Sequence, residues 1–213
     1  MNPSEIVDAF HRFYYDRGNY GGTWHNTTWM GVKLLKCPLD VWVYHEILHE
    51  TQPDVVLETG TCNGGSAYFM ACIMDILGKG RVITVDAAVR PNMPKHPRIT
   101  YLIGSSVSPE ILAQMKEAST HGSTMAVLDS DHHHKHVLQE LQDYAPLVTP
   151  GHYLIVEDSN LNGNPAQPDF GPGPMEAIND FLVGNPEFTR DETREKHYMT
   201  LNPWGYWRKA RLA

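Results

Sequence analysis

Five short runs of Val, Ile and Leu, separated by segments of helical spacing, constrain this chain more than any other feature. They fall at 55–57, 82–85, 99–103, 125–128 and 153–156. Apolar runs without polar alternation fit strands covered on both faces. The segments 66–77, 109–118 and 134–147 between them repeat their apolar residues at helical intervals. Such alternation predicts parallel strands joined by right-handed crossovers, an α/β, doubly wound, Rossmann-like sheet. After Glu157, the stretch NLNGNPAQPDFGPGP is too rich in Gly and Pro to hold a ladder and reads as a long loop. A helix over about 175–183 follows, then 188–190 and 198–201 as an antiparallel hairpin, which brings the mostly parallel sheet to seven strands. Upstream, 4–15 and 38–50 read as helices joined by the aromatic, Gly-rich NYGGTWHNTTWMG. The 213 residues are expected to form a single domain, with 1–52 as an N-terminal helical extension on a 53–213 Rossmann-like core.

Charge removes two classes of partner. Lys and Arg total 17 against 25 Asp and Glu, a formal charge of -8, so there is no basic excess for a nucleic-acid face held by phosphate contacts, and anionic membranes are disfavoured likewise. No apolar stretch approaches the roughly 20 residues of a membrane span. The start MNPSEIVDAF has no basic leader followed by an apolar run, so a cytoplasmic protein is expected. Cys37, Cys62 and Cys72 are odd in number and follow no ligand spacing, which fits reduced thiols.

Chemistry is expected at the strand ends. In VVLETGTCNGGSAYF a strand closes on Glu58, and Gly60, Thr61, Gly64 and Gly65 turn tightly into a helix at Ser66. Glycines admit a ligand close to the backbone, and open α/β sheets bind at the carboxyl ends of their strands. The spacing is not G-x-G-x-x-G, which favours a nucleoside without a pyrophosphate over a nicotinamide dinucleotide. Asp86 closes VITVD about 20 residues after the glycines, where an acid accepts hydrogen bonds from ribose hydroxyls. A capping or solvated carboxylate accounts for Asp86 alone equally well. Gly104, Ser105 and Ser106, after the third run, are placed to border a base and suit a plain turn or cap as well.

Two acidic clusters end neighbouring runs: Asp129 and Asp131 in VLDSDH, Glu157 and Asp158 in IVEDSN. Carboxylates converging on one crevice repel unless a cation neutralises them, and an all-oxygen set suits a hard ion such as Mg2+. Helix caps or solvated acids are the alternative. His132, His133, His134 and His136 follow the first pair. His132 and His136, four apart, would share a helical face as zinc ligands, or His132 would act as a general base. The surrounding acids favour the base.

The segments TTWMGVKLLKCPLDVWVYHEIL, LETGTCNGGSA, VLDSDH, LIVEDSN, GPGPMEAI and REKHYMTLNPWGYWRK resemble, in order and over nearly the whole chain, the family of cephalosporin hydroxylase and the rhamnosyl O-methyltransferases. The resemblance implies a class I methyltransferase fold, S-adenosylmethionine (SAM), Mg2+ and methyl transfer to oxygen. Glu58, Gly60, Thr61, Gly64, Ser66, Asp86, Ser105, Ser106 and Asp129 would then hold the cofactor. Similarity to macrolide-sugar O-methyltransferases further implies a metal-binding acid followed three residues later by a His base, a pattern that falls on Asp129 and His132 here. Glu157 and Asp158 would complete the metal set, with Asp131 as an alternative to Asp129. Lys135 is a weaker candidate base, by likeness to catechol-type enzymes.

The implied reaction is Mg2+-assisted methylation of a hydroxyl on a sugar or other small natural-product metabolite. The loop 161–174 and the segment carrying Trp24 and Trp29 are candidate covers, and Lys36 would approach the crevice or only cap it. The competing readings are a nicotinamide oxidoreductase, which the glycine spacing disfavours, and a non-catalytic partner in natural-product tailoring. Relatives imply a homo-oligomer, for which Tyr14, Tyr15 and Trp42 would supply an interface or else belong to the core.

Overall fold

The computed structural model describes residues 2–16, 22–88 and 90–211. Helix α1 (Pro3–Tyr15) begins with a reciprocal cap: the Asn2 side chain accepts from the Glu5 N–H at 3.0 Å, and the Glu5 carboxylate accepts from the Asn2 N–H at 2.9 Å. Two donors at the helix start, which have no partner within the helix, are thereby satisfied. Asn19, Tyr20 and Gly21 of the linking segment lie outside the described residues. Its remainder forms a 3-10 turn (Thr23–Asn26) and a small antiparallel ribbon, β1 (Thr28–Trp29) with β2 (Val32–Lys33). Helix α2 (Pro38–Thr51) then buries Val43, Tyr44, Ile47 and Leu48.

The remaining strands make one sheet: β3 (Val55–Thr59), β4 (Arg81–Asp86), β5 (Ile99–Ile103), β6 (Thr124–Leu128), β7 (Tyr153–Val156), β8 (Phe188–Arg190) and β9 (Tyr206–Lys209). Their order is β5-β4-β3-β6-β7-β9-β8, parallel from β5 to β7, with β9 antiparallel to both β7 and β8. This is the expected doubly wound, mostly parallel seven-stranded sheet with an antiparallel C-terminal edge. Crossovers run through α3 (Gly65–Leu77), α4 (Pro109–Ser119) and α5 (His134–Tyr144), while α6 (Pro174–Phe181) packs beside α5. Between β4 and β5 the described residues form no helix, in a segment broken by Pro91, Pro94 and Pro97.

Alternate residues of the central strands feed two cores. Leu57, Val85, Ala126, Leu128 and Val156 face α4, α5 and α6, whereas Val56, Val82, Met125, Val127 and Ile155 face α2 and α3. Burying one such side chain contributes about 1.5–3 kcal/mol. A third cluster joins Tyr15 and Cys37 to Leu161, Ala166, Met199 and Leu201, tying the N-terminal segment to the long loop.

Two expectations need correction. The second strand of the C-terminal edge is β9 at Tyr206–Lys209, not 198–201. That earlier stretch is drawn out of the sheet: Tyr198 sits at φ 66 and is 83% exposed, and the buried carboxylate of Asp40 accepts hydrogen bonds from Thr200 Oγ1 and the Leu201 N–H. The run at 99–103 is an edge strand, with Ile103 exposed on it, rather than one covered on both faces. Tyr15 is core, Tyr14 is half-buried and Trp42 is exposed. The three cysteines are free, and no helix of the described residues is long and apolar enough to cross a membrane.

Candidate functional site

Strand order reverses between β3 and β6, and a cavity of about 490 Å³ opens at their carboxyl ends, within the size range of small-molecule sites. Its floor is the turn from β3 into α3. Gly60 has φ +86, and a Cβ there would meet the Asp129 carbonyl oxygen at 1.7 Å; at Gly65 a Cβ would meet the Lys33 carbonyl oxygen at 2.1 Å. Only glycine allows both approaches. Gly60, Thr61, Gly65 and Ser66 line the cavity.

Asp86 lines it as well, and its carboxylate accepts the Cys62 N–H at 2.8 Å and the Ala88 N–H at 3.1 Å. Each oxygen keeps a second lone pair for a ligand. Gly104, Ser105 and Ser106 form the far end, joined by His136, whose Nε2 lies 3.0 Å from Ser106 Oγ and 3.5 Å from the buried Glu140. Two expected residues stand behind the wall. Glu58 is wholly buried and accepts from Thr84 Oγ1 at 2.6 Å, and burial pushes its carboxyl up to about 7. Gly64 faces Pro94 and Tyr101.

Acids converge at the same cavity. Asp129, His132 and Asp158 each bring one ligand atom within 4.8 Å of the others, and His132 Nε2 lies 3.2 Å from Asp158 Oδ2. Asp158 adopts φ 53, a strained left-handed conformation of the kind that recurs where a backbone must aim a functional side chain. Glu157 is buried elsewhere, accepting from the Lys36 ammonium and the Tyr44 hydroxyl, and it is not in the group of three. Lys36 Nζ also donates to Asp129 Oδ2 at 2.8 Å, so one ammonium bridges both acidic clusters.

Burial raises the carboxyls of Asp129, Glu157 and Asp158 above the ordinary carboxylate range, and their mutual repulsion adds to it; Lys36 opposes the rise at all three. Burial pulls Lys36 down, but Asp129 and Glu157 carry it above its usual value. The carboxylate oxygens of Asp129 and Asp158 fit a divalent ion with water completing its shell, with the His132 imidazole beside them.

The other histidines are accounted for separately. Helix α5 starts at His134, so His132 precedes it and shares no helical face with His136, which removes the zinc arrangement. Asp131 is exposed on the rim, accepts the His133 N–H at 2.9 Å and lies outside the group of three. Lys135 is exposed on α5. Trp24 lines the cavity, its indole N–H donating to the Tyr15 carbonyl at 3.2 Å. Trp29 instead packs edge-on against Phe69 in the core. The loop over 161–174 is pinned beside the acids, with the His134 N–H donating to the Pro172 carbonyl at 3.0 Å and Phe170 stacked on His133. Sequence reasoning missed Lys33, Leu34 and Arg90 as lining residues. For Lys36 the one available signal was a lone cation in the apolar run LLKCP.

Residues 21–210 match the family described as Rhamnosyl O-methyltransferase/CmcI. The chain is 42% identical over 199 residues to the rhamnosyl O-methyltransferase of Mycobacterium leprae (strain TN), covering 91% of this chain and 85% of that one. It is 41% identical over 213 residues to the rhamnosyl O-methyltransferase of Mycobacterium tuberculosis (strain ATCC 25618 / H37Rv), covering 96% and 85%. A CmcI structure with Mg and SAM superposes with a TM-score of 0.66 at 20% identity, covering 88% of this chain and 78% of that one.

Proposed function

The chain belongs to the Rhamnosyl O-methyltransferase/CmcI family, an S-adenosylmethionine-dependent O-methyltransferase, and from that premise we propose that it methylates a hydroxyl of a sugar or similar small metabolite with help from Mg2+. One observation carries this reading: Asp129 belongs to both halves of the cavity. Its carbonyl abuts the glycine turn, while its carboxylate belongs to the group with His132 and Asp158. A nucleoside on the turn and a hydroxyl at the acids would therefore meet in one space.

In this reading the 60–66 turn cradles the amino-acid end of SAM, Asp86 takes the ribose hydroxyls, and Ser105 and Ser106 border the adenine. Asp129 and Asp158 hold the divalent ion, with Glu157 behind them on Lys36 and Asp131 at the rim. The ion, when bound, supplies Lewis acidity that makes the acceptor hydroxyl easier to deprotonate. His132, held against Asp158 through its Nε2–H, is the base that would take that proton, on its other ring nitrogen. The acceptor oxygen forms the new bond to the methyl carbon as the carbon–sulfur bond breaks, and its electron pair stays on sulfur. Holding the two reactants in line, with water excluded, accounts for most of the rate in a displacement of this kind. Trp24 borders the cavity, where an aromatic side chain suits contact with a sugar ring, and the rhamnosyl relatives support that acceptor class.

Calorimetric titration with SAM and S-adenosylhomocysteine, with and without Mg2+, tests the reading on wild type and Asp158→Asn. Both nucleosides should bind wild type, and the variant should lose the Mg2+ signal while keeping the nucleosides. Methyl transfer to a rhamnosyl glycoside should then require Mg2+ and fall by about 10²–10⁴ in kcat for His132→Gln. Absence of nucleoside binding would overturn the proposal.

A further inference from the structure

Lys36 is the one cation buried among the acids of the site among the described residues, and nothing in the proposed methyl transfer uses it. It reaches them from the segment before α2, with its side chain 4% exposed, and touches Asp129 and Glu157 at once. The Tyr44 hydroxyl donates to the same Glu157 oxygen, Oε1, as Lys36. The preceding residue, Leu35, sits at φ 58, so the backbone accepts a left-handed conformation next to this placement. Three carboxylates meet here with one ammonium, which leaves two negative charges, the number that a divalent ion neutralises.

We propose that Lys36 is the resident counter-cation of the metal site: it holds Asp129 and Glu157 together when the ion is absent and competes with the ion for Asp129 when it binds. This inference rests on the divalent-ion reading above. The physical basis is that unpaired carboxylates in a buried cluster are costly, whereas a fixed positive charge a few ångströms from an incoming dication opposes it. Lys36 is thus a positioning residue, acting through Asp129 and Glu157. It stabilises the metal-free protein at the expense of metal affinity.

The test compares wild type, Lys36→Met and Lys36→Arg by Mg2+ calorimetry and by melting temperature in EDTA and in excess Mg2+. Lys36→Met should bind Mg2+ about tenfold tighter or more, given the loss of a buried like charge. It should also melt lower than wild type in EDTA and recover in Mg2+. Lys36→Arg, which keeps the charge, should stay near wild-type affinity. Unchanged or weaker Mg2+ binding by folded Lys36→Met would overturn the inference while leaving the metal reading intact. If wild type and Lys36→Met both bind S-adenosylhomocysteine but no Mg2+, the metal reading itself falls and takes the inference with it. Should Lys36→Met fail to fold in any buffer, the 15N signal of the Lys36 ammonium in wild type decides. It must move on Mg2+ titration with the calorimetric midpoint, and an unmoved signal refutes the competition.

Discussion

At the scale of the residue, the site is a set of buried charges whose costs are unevenly offset. Lys36 and Tyr44 serve Glu157, His132 lies against Asp158, but Glu58 has no charged hydrogen-bond partner, leaves Oε1 without one, and feels the Lys36 charge only through space. Its carboxyl, ordinarily near 4.5, is pushed up to about 7 by burial. Below the ordinary value the folded and unfolded states are both protonated and the group is neutral to stability. As pH rises from about 4.5 to about 7 the unfolded chain releases this proton while the fold retains it, so stability is lost across that window and levels off once the buried acid ionises near 7. Glu58→Gln, which mimics the protonated form, should therefore be more stable than wild type at pH 8, on the order of 3 kcal/mol. The gain should shrink towards pH 4.5. Chemical denaturation at a series of pH values measures it, and a gap independent of pH would show that Glu58 ionises freely in the fold.

At the scale of the element, the turn between β3 and α3 is where local geometry is least negotiable. Gly60 combines a positive φ with a contact that leaves no volume for a methyl group, because β6 runs directly alongside β3 and delivers Asp129 beside it. Gly60→Ala should cost at least about 1–3 kcal/mol in stability from backbone strain alone. It should also displace Asp129 and weaken S-adenosylhomocysteine binding together with Mg2+ binding. Parallel loss of both in calorimetry would mark one shared wall, whereas loss of the nucleoside alone would separate the two halves of the cavity. The same scale explains the misplaced edge strand. Residues 198–201 have strand-like composition, but a buried Asp40 on α2 recruits Thr200 and Leu201, and the chain turns at Trp204 and Gly205 before it can pair with β7.

At the scale of the molecule, the segment before the sheet belongs to the core and the site together. Helix α2 supplies Val43, Tyr44, Ile47 and Leu48 to one face of the sheet, and the residues leading into it supply Lys36. We propose that residues 1–213 fold as one unit. A fragment of residues 53–213 should expose that face and fail to give the single cooperative melt of the full chain; an independently folded fragment would show that 1–52 is a true extension. The alternation of apolar runs determined the strands and crossovers, because a strand buried on both faces can hardly be written otherwise in sequence. The glycine turn and the strand-end acids were legible for a related reason, since ligand crevices sit at carboxyl ends of such strands. Which acids converge was not legible. Neighbours in the chain such as Glu157 and Asp158 part company through a single left-handed φ, and Lys36 meets Asp129 and Glu157 across 93 and 121 residues of sequence. Those pairings arise only when the N-terminal segment packs over the sheet, because side-chain direction and long-range proximity are properties of the folded backbone.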